Sequence, residues 1–259
     1  MNTKTTENTE NTEIAAPTAL PPEVQALIDA AAQQVSNKEQ IGIPTISLRG
    51  KKFVMNEEKI GFRDEKLGLC LDVVILATVY EHAYYDRPFN PDEVTPPACF
   101  SIGQDLPSMV HHESTPVPQW ENCESCPKNQ FKSSANGKGK ACRNGRRLLV
   151  APIDENGVDL EQLAIINLSP TALRTFSAYA KKLASIKRLP LWAVNTRVSF
   201  DLDTDFPSVI CSYNGNVNDA DIIDITQRLE EFLDSVSQPL DVSGYIPLGT
   251  EPAKKSKMS

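Results

Sequence analysis

The stretch SPTALRTFSAYAKKLASI, residues 169–186, is the best-marked helix in this 259-residue chain. Ser169 suits the N-cap, where a hydroxyl can take up an orphan backbone N–H, and Pro170 suits the first turn, where no N–H is needed. Leu173, Phe176, Ala180 and Leu183 recur at helical spacing and predict one apolar stripe. The place of this helix in the chain decides the fold. Before it come TISLRGKKFVM (45–55) with a turn at Gly50, the long β-branched run CLDVVILATVYEHAYY (70–85), and RRLLVAPID and LEQLAIINL around the turn signal DENG. After it come LWAVNTRVSFDLD and SVICSYNG, then a final acidic helix, DADIIDITQRLEEFLDSV (219–236). Strands, a helix, two strands and an appended helix predict a mainly β fold with helices (α+β). The expected form is an OB-type Greek-key barrel with its helix between the third and fourth strands.

Outside that core, residues 1–22 are low in complexity and too poor in large apolar residues to repay ordering, which predicts a disordered tail. Val24, Leu27, Ile28, Ala31 and Val35 then predict a short amphipathic helix, docked on its own domain or offered to another chain. The chain therefore reads as one domain over 23–240 with a flexible tail at 241–259. No apolar run is long enough to span a membrane, and the start lacks a secretion signal, so a soluble intracellular protein is expected.

Six cysteines in a reducing compartment point to metal ligands and buried thiols rather than disulfides. Cys70 and Cys211 sit in strand-like runs and are assigned to the core. Cys123-x2-Cys126 is a knuckle that can place two thiolates on one ion, with Cys142 and Cys99 completing a tetrahedron. His111 and His112 lie nearby, so the fourth ligand stays open on spacing alone. Zinc suits such soft ligands and would stabilise a loop, inserted at about 99–147, that has little core of its own.

A catalytic reading competes, because HHE at 111–113 followed by CESC imitates the signature of zinc deaminases. Only nine residues separate Glu113 from Cys123, two of them prolines, which leaves no room for the elements that carry the two halves of that site. No catalytic residue is expected, and the chain is not expected to be an enzyme.

Charge distribution carries a different message. The net charge is −8, yet Trp120–Val150 holds seven cations against Glu121 and Glu124, while Asp219–Asp234 holds six acids against Arg228 alone. Lys132, Lys140, Arg143, Arg146 and Arg147, with Trp120 and Phe131 as stacking faces, make a patch suited to phosphates and bases. Tyr84, Tyr85, Arg87 and Phe89 form a second aromatic and basic group, for which core packing is an equal explanation.

The motifs PPACFSIG (96–103), the cysteine segment through RRLLV (123–150) and LSPTALRTFSAYAKKLA (168–184) resemble bacteriophage single-stranded-DNA-binding proteins with an OB-type core interrupted by a zinc loop. The resemblance covers roughly residues 45–215. It implies structural Zn2+ on Cys99, Cys123, Cys126 and Cys142, and binding of single-stranded DNA without sequence preference in replication, recombination or repair. It also implies the cytoplasm of an infected bacterial host as the setting, and replication or recombination proteins as partners. The chain ends EPAKKSKMS and not in the acidic, aromatic-tipped tail common in that class, so a partner-recruiting tail is not carried over. The contrasting expectation is a zinc-stabilised adaptor or anti-defence protein that binds another protein through its acidic or N-terminal helix.

Overall fold

The computed structural model describes residues 42–87 and 96–238. The expected tails, the N-terminal helix and Phe89 lie outside these residues. The fold is mixed α+β, mostly sheet. Its organising element is β5 (Gly68–Tyr84), a 17-residue strand whose Val, Ile and Leu side chains from Leu71 to Val79 are buried on both faces. Such length lets its two halves take different partners. Along one edge the first half pairs with β10 (Val194–Phe200) and the second half with β6 (Cys99–Gly103). Along the other edge it pairs with β7 (Cys142–Asp154) from Val73 to Tyr84.

The remaining strands extend this frame. β9 (Ala164–Leu168) pairs antiparallel with β7 and parallel with β1 (Thr45–Ile46), while β11 (Val209–Asn216) pairs with β10. The path β1-β9-β7-β5-β10-β11 ends without pairing its two outer strands, so the sheet is open among the described residues. β4 (Phe62–Asp64) and β8 (Gly157–Val158) add short pairings to β5 and β7, and β2 (Phe53–Met55) forms a separate hairpin with β3 (Glu58–Ile60). DENG makes the expected tight connection, with Asp154 opposite Gly157.

One irregularity decides which side chains face where. The β5–β7 register runs Ile75 to Val150 and then Ala77 to Leu149, leaving Leu76 as a β-bulge. Simple alternation would set Val79, Glu81 and Ala83 on the same face as Val73 and Ile75. The bulge reverses this. Thr78, Tyr80, His82 and Tyr84 share the Ile75 face, and Val79 joins Val74 on the opposite side.

Helix α1 (Pro170–Lys182) covers the Ile75 face, with Ser169 as N-cap and Pro170 in the first turn. The stripe expected from Leu173, Phe176, Ala180 and Leu183 is rotated slightly: Ala172, Phe176, Tyr179 and Leu183 are buried, and Leu173 and Ala180 lie at the margin. Tyr179 can be buried because its hydroxyl shares a 2.7 Å hydrogen bond with Thr196. The acidic helix covers the other face and is two helices, α2 (Asp219–Gln227) and α3 (Leu229–Ser237), broken at Arg228. Asn218 caps α2 by accepting the Asp221 N–H at 2.8 Å. Ile225, Phe232 and Val236 are fully buried against Val74, Val79 and Leu149. The break lets both short helices turn their apolar residues onto a twisted sheet, which one straight helix of 18 residues would leave in part.

Candidate metal and nucleic-acid site

The cysteine loop sits on the Ile75 face, at the end of the sheet that α1 does not reach. Cys99 begins β6 and Cys142 begins β7, and both are register partners of Tyr84 on the strand between them. Register partners point to the same side, so these two thiols flank the tyrosine. Cys123 and Cys126 come over them on the knuckle. The Cys123 N–H donates to the Met109 carbonyl at 2.8 Å, and Asn129 donates from its backbone to the Cys126 carbonyl and from its amide to the Cys123 carbonyl. Ser133 and Gln130 bind further loop carbonyls. Polar bonds do most of this work: between residues 107 and 141 only Met109, Thr115, Cys126 and Asn129 are buried.

Cys99, Cys123, Cys126 and Cys142 line one cavity of about 20 Å³, room for a single ion or water. Burial pushes the Cys99 and Cys123 thiols up, and pushes Cys142 up to about 12. Such thiols stay protonated unless a cation takes the charge. As they stand, no three or more His, Cys, Asp or Glu side chains among the described residues are arranged to hold a metal ion. One cause is visible: the Cys123 Sγ donates to the Ser101 hydroxyl at 3.1 Å and is turned toward that partner. The donor set fits zinc in type and in number, while the thiols share a cavity without yet converging on one point. A structural ion there would supply charge to four thiolates and fix the knuckle to the sheet.

Neither His111 nor His112 lines this cavity. His111 bonds the Trp120 carbonyl through Nδ1, and His112 stacks on Phe100 and bonds Ser114. The histidine that does line it is His82, which sequence reasoning passed over. It is 5% exposed, and its Nδ1 has no hydrogen-bond partner among the described residues. Burial first, then nearby Lys140, pushes its imidazole down to about 4. The uninterrupted run TVYEHAYY gave no sign that this residue would be turned inward beside the thiols.

The expected nucleic-acid residues separate into distinct groups. Phe131 is 78% exposed, with the Lys140 Nζ 5.5 Å from its ring, and Trp120 is 49% exposed. Lys128, Lys132, Lys138, Lys140 and Arg143 form no ion pair with a carboxylate among the described residues, where Arg147, Arg197 and Arg228 do. Tyr84 is half-buried under Lys128, while Tyr85 and Arg87 are exposed beyond it. Arg143 is exposed but lines a separate groove with Arg49, Ser169 and Thr171.

Arg146 and Arg147 point to opposite faces, as strand alternation requires. Arg146 lies 4.5 Å over the Tyr80 ring and 5.3 Å from that of Phe176, and donates to the Thr78 hydroxyl. Arg147 is a correction to the expected set. Only 3% exposed, it pairs with Glu81 at 3.0 Å and donates to the Val236 and Gln238 carbonyls at the end of α3. That arginine holds the acidic helices to the sheet and has no face left for phosphate. Other aromatic–cation pairs were missed, among them Tyr213 under Lys187 at 3.6 Å and Phe62 under Arg197 at 5.0 Å, whose partners come from distant segments. Among the described residues no helix is long and apolar enough to cross a membrane. No family model, curated protein or solved structure matches the chain.

Proposed function

We propose that the protein binds single-stranded DNA with little sequence preference, in phage replication, recombination or repair, and that Zn2+ on Cys99, Cys123, Cys126 and Cys142 holds the binding loop in place without reacting. The observation that carries this reading is Phe131, exposed on the cysteine loop beside Lys140 and close in sequence to other cations that form no ion pair with an acid among the described residues. Exposed rings stack on bases and free cations neutralise phosphate, a combination indifferent to sequence. The OB-type reading is supported by β5 pairing with both β7 and β10, and by α1 lying between β9 and β10; a partly open barrel tolerates the unpaired ends.

The test is salt-dependent retention of the full chain on immobilised single-stranded DNA, with duplex as the control. Preference for the single strand, with affinity falling linearly in the logarithm of salt, is the expected result. Equal retention of both forms, or of neither, sinks the reading and turns attention to the adaptor role, in which the exposed acids of α2 and α3 would face a protein.

A further inference from the structure

Between α1 and the cysteine loop the Ile75 face of the sheet stays uncovered, and a cleft of about 330 Å³ opens there. Its floor is Tyr80, His82 and Asn144, three polar side chains on neighbouring central strands. Leu173 of α1 forms one wall, and Asn129, Gln130 and Lys140 of the loop form the other. The interior of a sheet is an unusual place for an imidazole whose Nδ1 is buried without a partner among the described residues, since an unmet polar atom there costs stability. A well-packed apolar residue at position 82 would avoid that cost.

We propose that this cleft receives one nucleobase of a bound strand, turned out of the stack and laid against Tyr80. The inference rests on the strand-binding reading and adds to it a defined seat for a base. Size comes first: the volume stands at the lower end of ligand pockets, too large for an ion and small for anything much bigger than one nucleotide. Chemistry comes next. A base offers a flat face and an edge of mixed donors and acceptors, and the cleft offers an aromatic ring, three carboxamides and an imidazole that can donate or accept. Charge agrees as well. Lys140 lines the cleft, against which Glu124 is the one acid in the lining, and Arg146 lies over the Tyr80 ring next to it. The Asn129 Oδ1 already accepts from the Lys140 Nζ at 3.1 Å and from the Asn144 amide at 2.9 Å, so these side chains are held in place before a base arrives.

The experiment compares a mixed-sequence strand of about 20 nucleotides with an abasic strand of the same length and charge, a length above the usual site size of such proteins. The full-length native chain is expected to hold the base-bearing strand about tenfold more tightly. His82→Phe keeps the ring's bulk and removes its polar atoms, and Leu173→Trp fills the cleft from the helical wall without touching the histidine. Each variant, with its unfolding temperature checked, should lose most of that preference while the salt slope stays as in the native protein. If the native preference is present but both folded variants keep it, the cleft is not the base seat and the strand-binding reading survives. A native chain that binds both strands equally overturns the seat, and one that retains neither overturns the strand-binding reading with it.

Discussion

The two faces of the central sheet are built on opposite plans. On one, α2 and α3 bury Ile225, Phe232 and Val236 against Val74, Val79 and Leu149, and a buried arginine, Arg147, is matched by Glu81 and by helix-end carbonyls. On the other, past the end of α1, the sheet presents Tyr80, His82, Tyr84 and Asn144 to a loop held largely by polar bonds. The difference teaches where to look for function. The first face is apolar and closely covered by helices, with the Asn167 and Asn195 Oδ1 atoms its buried polar exceptions, without a partner among the described residues, and it reads as stability. The second leaves the His82 Nδ1 without a partner among the described residues, beside four thiols that line one cavity, and covers that group of side chains with a polar loop rather than with helices.

The comparison breaks most visibly if the closed face is opened. Phe232→Ala should cost about 3–5 kcal/mol, read as a lower denaturant midpoint, because the ring is fully buried and leaves a cavity. Arg147→Ala should follow at about 3 kcal/mol, since it strands Glu81 and uncaps α3; unchanged DNA binding by the folded fraction is the accompanying expectation. A loss of affinity out of proportion to the loss of fold would return Arg147 to the binding surface.

On the polar face the effects should be local. Cys126→Ser, or zinc removal by a chelator, should speed amide exchange between residues 107 and 141 and leave the β5–β7 ladder protected. Stoichiometric metal in the native protein is the prerequisite, checked by elemental analysis. Phe131→Ala should weaken strand binding by about 1–3 kcal/mol with its salt dependence nearly unchanged. The smallest effect belongs to single cations: Lys140→Ala should lower the salt slope by roughly 0.7 if that lysine meets a phosphate. Equal slopes for native and variant would remove it from the path of the strand.

The sequence made some of this legible and hid the rest for physical reasons. Helix α1 could be placed by its N-cap and proline because these are local signals, and Cys70 and Cys211 could be sent to the core because each sits in a strand-like run beside apolar neighbours. That Cys99 lines one cavity with Cys123, Cys126 and Cys142 agrees with the grouping by ligand type. The fate of Arg147 was not legible, since Glu81 and the end of α3 lie far along the chain. The break at Arg228 was hidden by a pattern that stays amphipathic straight through it. His82 escaped notice because its direction depends on a register change six residues earlier, at a leucine with nothing unusual about it.

That leucine works like a frameshift inside a single strand. In the β5–β7 ladder Leu76 has no opposite number, so removing it would leave Ile75 facing Val150 and Ala77 facing Leu149, every downstream side chain still on its present side. The same deletion made at Val79 would turn Tyr80, His82 and Tyr84 toward the helices and bring Glu81 and Ala83 under the cysteine loop. Two deletions three residues apart in one strand therefore have unequal meanings: the first shortens the strand at the cost of one buried leucine, and the second exchanges what the sheet shows to either side.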